Sequence, residues 1–255
     1  MFESGMTVAV ADLQNITIDN DQQGASVGLH GVLGVPQGEG PWPIVVVVHE
    51  AFGIDAEMRK QVAHLATLGY LALMPDLFTE GGMRKCIFAT MRAMRSGTGR
   101  AFADIEAARQ WLLKRDDSTG AVGVIGFCMG GGFALMTAAG RGFDAASANY
   151  GMLPGDMEAA FENACPVIGT YGGKDGSLKG ATAKLETALT KQRVTHDLKE
   201  YPDAGHAFLN ELPTGPGWFR PLARVMHFGP NPQAAVDAWG RIDSFFQEHL
   251  VATKD

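Results

Sequence analysis

The sequence predicts an α/β protein whose mostly parallel central sheet has helices on both faces. From residue 44 onward, apolar runs of strand length alternate with segments of helical periodicity. The run 44–48 is apolar at every position, which is typical of a central parallel strand covered on both faces. The chain has 255 residues and is 46% hydrophobic, enough for one large core, so we expect a single domain over 1–255.

The predicted elements follow in order along the chain. Short alternating stretches at 7–10, 15–18 and 26–30 predict antiparallel strands at one sheet edge. Further strands are predicted at 44–48, 70–74, 121–127, 145–150, 167–171 and 195–201. Helices are predicted at 55–68, 102–114, 131–139, 179–191 and 234–250, the first with Asp55 as its N-cap. The stretches 75–99 and 210–232 are rich in Gly, Pro and Arg and are predicted to be irregular loops that carry function or form lids.

Composition narrows the class of partner. The formal net charge is −7 and no Lys/Arg run occurs, which argues against binding nucleic acid or anionic membranes and favours a small-molecule partner. No apolar stretch reaches the roughly 18 residues of a membrane span, and the N-terminus lacks the basic start of a signal peptide. We therefore expect a cytoplasmic protein, whose oligomeric state the sequence leaves open.

Cysteine and glycine spacing exclude several kinds of site. Three cysteines without a CxxC pair, at positions 86, 128 and 165, predict neither a disulfide framework nor a zinc site. No Walker motif is present, and no Gly-x-Gly-x-x-Gly follows a first strand. We therefore expect no metal and no nucleotide cofactor.

One of these cysteines occupies a nucleophile elbow. The strand 121–127 leads into Gly-Phe-Cys-Met-Gly at 126–130 and then into a helix, so Cys128 lies at a strand-to-helix turn. Such a turn requires glycine two residues on either side, because a Cβ there would collide with the strand or the helix. The N-terminus of the following helix favours a thiolate, which is the nucleophilic form of cysteine.

Two later residues complete a candidate catalytic triad. Asp175 follows the strand 167–171, and His206 follows the strand 195–201. The order nucleophile, acid, histidine is that of α/β-hydrolases. In this arrangement, the histidine is the general base and the acid orients its ring. The N–H groups of Met129 and Ala51 are the candidate oxyanion donors, with Glu50 and Phe52 as alternatives to Ala51.

The motifs together resemble the dienelactone hydrolase (carboxymethylenebutenolidase) family of α/β-hydrolases over roughly residues 25–250. They are His-Glu-x-Phe-Gly at 49–53, Pro-Asp-Leu-Phe at 75–78, the elbow at 126–131, Gly-x-x-Asp at 172–175 and Gly-His-x-Phe at 205–208. The resemblance implies a triad of Cys128, His206 and Asp175, with Glu50 helping to activate the thiol. It implies hydrolysis of an ester or lactone through a thioester, without a cofactor.

The resemblance also indicates residues that would bind substrate. Arg84 matches the first of two family arginines that bind a substrate carboxylate, and Phe52 and Phe78 lie in motifs next to the site. Asn210 and Glu211 stand where the second arginine is expected, and the nearest arginines follow at 220 and 224. Two alternatives stay open: a general carboxylesterase with the same triad, and a non-hydrolytic protein that uses Cys128 for redox sensing or ligand binding.

Overall fold

The computed structural model describes residues 12–212, 223–224 and 227–251, and its centre is one eight-stranded sheet. The strands are β1 (Asp12–Ile18), β2 (Leu29–Val35), β3 (Trp42–Val48), β4 (Leu71–Pro75), β5 (Ser118–Phe127), β6 (Ala145–Asn149), β7 (Val167–Gly172) and β8 (His196–Tyr201). Their order is β1-β2-β4-β3-β5-β6-β7-β8, and only the pairs β1–β2 and β2–β4 are antiparallel. The predicted fold class is thereby confirmed.

Within the residues that the structure describes, seven α-helices connect and cover the strands. They are α1 (Ala56–Thr67), α2 (Met83–Ser96), α3 (Arg100–Leu113), α4 (Met129–Thr137), α5 (Met157–Ala160), α6 (Ala181–Lys191) and α7 (Pro232–Phe246). A 3-10 turn at Gly176–Leu178 precedes α6, and a π-helical turn at Gln247–Val251 follows α7. None of the described helices combines the length and the apolar character that a membrane span needs.

Strand β3 explains why helices cover both faces. Its residues Ile44, Val46 and Val48 lie in one core with side chains of α3 and α4, while Val45 and Val47 lie in a second core with side chains of α1 and α7. All five are fully buried. The unbroken apolar run in the sequence therefore reflects two hydrophobic layers, one on either side of the sheet.

The prediction of an irregular loop over 75–99 was wrong, because α2 occupies Met83–Ser96. One face of this helix is buried through Cys86, Thr90, Ala93 and Met94, which recur at helical spacing. The helix starts after a glycine without a side-chain cap, so the usual N-terminal signal is missing from the sequence. It ends at Gly97, whose left-handed backbone (φ 71°) closes the last turn.

Several other helix and strand boundaries differ from the predicted ones by a few residues. The strand predicted at 26–30 begins only at Leu29, because Ser26 is held in the preceding turn by hydrogen bonds to the buried Asp104. The helix predicted from 131 begins at Met129, directly after Cys128, and the helix predicted at 234–250 divides into α7 and the π-helical turn. Asp55 caps α1 as predicted and accepts a hydrogen bond from the Met58 amide at 2.9 Å. The stretch 7–10 and most of 213–226 lie outside the described residues.

Candidate active site

Cys128 lies at a sharp turn between β5 and α4. Its backbone has φ 55° and ψ −112°, a conformation that residues other than glycine rarely adopt. The turn is closed by a hydrogen bond from the Cys128 amide to the carbonyl of Asn149 at 3.0 Å. The side chain is half-buried, at the carboxyl end of the central strands.

The two flanking glycines make this turn possible. A Cβ on Gly126 would lie 1.9 Å from the Gly130 carbonyl oxygen, and a Cβ on Gly130 would lie 2.0 Å from the Val48 carbonyl oxygen. Both obstacles are backbone atoms of the elbow or of β3, which cannot rotate away as a side chain can. The glycine requirement inferred from the sequence therefore has a direct steric cause.

Replacing Gly126 with alanine is expected to destabilise the protein by about 3 kcal/mol or more, because the elbow would have to open. Gly132→Ala is the matched control. It lies in α4, just beyond the same turn, and its new Cβ would mainly meet the flexible thioether of Met94 at 2.5 Å. Urea unfolding of both variants is the measurement. Equal stability loss in the two would contradict the steric account of the elbow.

Asp175 and His206 form a buried hydrogen-bonded pair. The Asp175 carboxylate oxygen Oδ2 lies 2.5 Å from His206 Nδ1, and the two side chains are nearly inaccessible to solvent. The other oxygen of Asp175 accepts hydrogen bonds from the amide of Ser177 at 3.0 Å and from its hydroxyl at 2.5 Å. Burial alone would raise the pKa of Asp175, but the bonds from His206 and Ser177 lower it below its ordinary value.

His206 faces Cys128 as well as Asp175. Burial alone would lower the pKa of His206, but the charge and hydrogen bond of Cys128, together with Asp175, raise it to about 10. The imidazole is also held between rings: Phe228 stacks on it at 4.9 Å, and Tyr150 lies 5.1 Å away between ring centroids. The arrangement favours an imidazolium between a sulfur and a carboxylate.

A buried polar cluster surrounds Glu50, which lies two residues after the end of β3. The Glu50 carboxylate is 1% exposed and accepts a hydrogen bond from the Asn210 amide at 3.1 Å. The Tyr150 hydroxyl donates to the side-chain oxygen Oδ1 of Asn210 at 3.4 Å and also interacts with Glu50. Burial raises the pKa of Tyr150 well above its usual range, and the charges of Glu50 and Cys128 add to the shift. Glu50 thus lies beside Tyr150, whose hydroxyl also interacts electrostatically with Cys128.

His49 fixes the loop that carries Glu50. Its Nδ1 donates to the Glu50 carbonyl at 2.7 Å, and its Nε2 accepts a hydrogen bond from the Leu77 amide at 3.1 Å. Burial lowers the pKa of His49, which is consistent with a neutral ring that donates at one nitrogen and accepts at the other. Phe78 packs edge-on against this ring, with 4.9 Å between the centroids. The two loops at the ends of β3 and β4 are therefore joined.

The remaining residues that the sequence predicts for the site differ in their exposure to solvent. Met129 is buried and is the first residue of α4, so its N–H has no acceptor within the helix, as an oxyanion donor requires. Ala51 and Phe52 lie half-buried in the turn after Glu50. Phe78 is 3% exposed and belongs to the core, whereas Arg84 is exposed in the first turn of α2. Of the more distant arginines, position 220 lies outside the described residues.

Sequence analysis missed three residues that shape this site. Tyr150 follows β6 with a left-handed backbone (φ 42°), and its position at the end of the strand predicted at 145–150 was the available signal. Asn149 of β6 forms hydrogen bonds with both neighbouring strands next to the elbow. Its side chain donates to the Gly126 carbonyl of β5 at 3.1 Å and accepts from the Thr170 hydroxyl of β7 at 2.8 Å. Ser177, two residues after Asp175, resembled an ordinary turn residue. No motif marks any of the three.

A family model and the sequences of known proteins both match this chain over most of its length. The sequence model of the dienelactone hydrolase family matches residues 29–250. A protein of Escherichia coli (strain K12) named "Putative carboxymethylenebutenolidase" is 30% identical over 231 residues, covering 84% of this chain and 79% of that protein.

Solved structures extend the comparison to the fold. A crystal structure of dienelactone hydrolase from Anabaena variabilis matches with a TM-score of 0.66 and 20% identity, covering 95% of this chain and all of that one. An α/β hydrolase enzyme from a deep-sea metagenome library also matches, with a TM-score of 0.66 and 14% identity, covering 95% of this chain and 99% of that one. At these identities, the similarity establishes the α/β-hydrolase fold.

Proposed function

Because this chain belongs to the dienelactone hydrolase family and is a hydrolase, we propose that it cleaves a carboxylic ester or lactone through Cys128, His206 and Asp175. The observation that carries the proposal is the 2.5 Å contact between Asp175 and His206, with Cys128 on the other side of the same imidazole. A nucleophile next to a base that is itself oriented by a buried carboxylate is the arrangement of covalent acyl transfer.

The first half of the reaction forms a thioester. The Cys128 thiolate attacks the substrate carbonyl carbon, a sulfur–carbon bond forms, and the carbonyl oxygen becomes an oxyanion. The N–H of Met129, with that of Ala51, stabilises this charge. The carbon–oxygen bond of the ester then breaks, and the His206 imidazolium gives its proton to the leaving oxygen. In a lactone, the leaving oxygen stays attached to the acyl group through the opened ring.

The second half releases the acid. His206, now neutral, takes a proton from a water molecule that attacks the thioester carbon, and the sulfur–carbon bond breaks to regenerate the thiolate and the imidazolium. Asp175 keeps the Nδ1–H in place, so that the other nitrogen faces the reacting atoms. The products are a carboxylic acid and an alcohol, which remain one molecule when the substrate is a lactone.

The proposal is tested by steady-state turnover of dienelactone and of p-nitrophenyl acetate, with wild type and Cys128→Ala in reducing buffer. We expect wild type to hydrolyse dienelactone in preference and the variant to be inactive on both substrates. Turnover that survives in Cys128→Ala would overturn the assignment of the nucleophile. A wild-type enzyme inactive on both would favour a non-hydrolytic role for Cys128.

One observation favours a general carboxylesterase as a second candidate. Asn210, where the family resemblance places a carboxylate-binding arginine, presents an amide to Glu50. An amide cannot form the charged, two-pronged contact that a guanidinium makes with a carboxylate. Arg84 is a described candidate for such a contact. Preference for the neutral aryl ester over dienelactone would identify the esterase.

Glu50 is expected to act in acylation rather than in substrate binding. In Glu50→Gln, the Asn210 amide keeps an oxygen acceptor, so the fold should persist, while the loss of the carboxylate should slow acylation by about tenfold or more. Single-turnover kinetics with p-nitrophenyl acetate measure this step.

Asp104→Asn is the control for Glu50→Gln, because Asp104 is an equally buried carboxylate that holds Ser26 instead. This control should leave acylation unchanged even if it lowers stability. An acylation rate in Glu50→Gln equal to that of wild type would refute a role for Glu50 in activating the thiol.

A further inference from the structure

A second cleft lies between α2 and the beginning of α3. Its volume is about 600 Å³, and none of the candidate catalytic residues lines it. The lining residues that could bind a ligand are Lys85, Phe88, Thr90, Arg92 and Arg100. The cleft is formed by the helix that sequence analysis had mistaken for a loop.

The cleft is positively charged in an acidic protein. Helix α2 carries four basic residues and no acidic one, although the formal net charge of the chain is −7. Within the part of the chain that the structure describes, neither Lys85 nor Arg92 forms an ion pair. The third cation, Arg100, contacts Glu80 at 2.5 Å. Two cations at the cleft are therefore uncompensated.

A largely buried threonine presents its hydroxyl to the cleft. Thr90 is 4% exposed and lines the cleft, and its hydroxyl forms no hydrogen bond with any of the described residues. The hydroxyl oxygen is not among the enclosed polar atoms that lack a partner, so it is accessible from the cleft and free to bond to a ligand there. A ligand oxygen between α2 and α3 would accept its hydrogen bond.

The N-terminus of α3 opens onto the same cleft. The helix has 14 residues, and its cap, Gly99, offers no side-chain acceptor to the first N–H groups. No acidic residue lies in its first turn, and both Arg100 and Ala101 line the cleft. Unsatisfied N–H groups and the helix dipole attract negative charge. They supplement the cations and the Thr90 hydroxyl.

Two acidic groups close to Arg100 are already engaged. Glu80 contacts Arg100, while Asp104 accepts two hydrogen bonds from Ser26. The cleft also has an apolar part, where the ring of Phe88 is 83% exposed. An exposed aromatic ring beside cations is suited to a ligand that has both a charged end and an apolar body.

We propose that this cleft binds a small organic anion. The carboxylate or phosphate of the ligand lies beside the first turn of α3 and contacts Lys85, Arg92 and the Thr90 hydroxyl of α2, and its aromatic or aliphatic body packs on Phe88. Binding is non-covalent and separate from the Cys128 site. The proposal is independent of which ester the enzyme hydrolyses.

The test is calorimetric titration of the Cys128→Ala protein with phenyl phosphate, benzoate and, as a neutral control, benzyl alcohol. We expect one or both anions to bind and the alcohol not to bind, and the better anion identifies the preferred head group. Removing one charged or hydroxyl contact, in Arg92→Gln or Thr90→Val, should weaken binding about tenfold. Arg95→Gln, which removes the same charge from α2 outside the cleft, should leave binding unchanged.

Hydrogen exchange with and without the bound anion locates the site. Protection is expected at the first turn of α3 and along α2. The proposal is overturned if neither anion binds at millimolar concentration or if Arg95→Gln weakens binding as much as Arg92→Gln. It is also overturned if protection appears only around the elbow at Cys128.

Discussion

Cys128→Ser is expected to lose most of its activity, although it changes a single atom. A serine hydroxyl is a far weaker acid than a thiol, so the His206–Asp175 pair would have to remove a much less acidic proton. We expect kcat for p-nitrophenyl acetate to fall about a hundredfold or more in Cys128→Ser, and about a thousandfold or more in Cys128→Ala. Steady-state kinetics with protein of verified stability measure both effects.

Cys165→Ala is the matched control for these variants. Burial, with a contribution from Asp144, raises the pKa of the Cys165 thiol to about 12, so this thiol is a poor nucleophile at neutral pH. The control should retain the wild-type kcat, and alkylation by iodoacetamide should inactivate it as fast as wild type. Serine activity equal to that of cysteine would contradict the proposed tuning of the site to a thiol.

The features that the sequence predicts best are those set by local sterics. The elbow depends on Gly126 and Gly130, whose neighbours in space are backbone atoms of the same turn and of β3. The apolar run 44–48 likewise identifies a strand that is covered on both faces. Each constraint restricts the residue type at the constrained positions themselves, as a required glycine or an unbroken apolar run, and therefore leaves a pattern in the sequence.

The features that the sequence does not predict depend on contacts between distant segments. Tyr150 reaches Asn210 across 60 positions, and Asn210 reaches Glu50 across 160. The spacing of residues along the chain does not indicate which side chains make contact once the fold brings the ends of β3 and β6 next to the loop after β8. Helix α2 was missed for another reason, since its start has no capping side chain and basic residues occupy its exposed face.

Asp175→Asn is expected to lower kcat between about a hundredfold and ten-thousandfold, because a neutral amide no longer stabilises the imidazolium or fixes its tautomer. It should also change the pH profile in a defined direction. Asp175 and Cys128 together raise the pKa of His206 to about 10 against the effect of burial. Without the carboxylate this pKa falls, so the alkaline limb of the kcat/KM profile, where His206 loses its proton, should move to lower pH.

Asp203→Asn is the control that distinguishes this local effect on His206 from a general change in the charge of the protein. Asp203 lies in the loop that precedes His206, pairs with Lys174 at 3.1 Å and is largely exposed. Asp203→Asn therefore removes the same charge, but solvent screens its influence on the imidazole. Its alkaline limb should stay at the wild-type pH, and its kcat should change little. If both variants keep the wild-type profile, Asp175 does not hold the proton on His206, and the hydrogen bond between them has only a structural role.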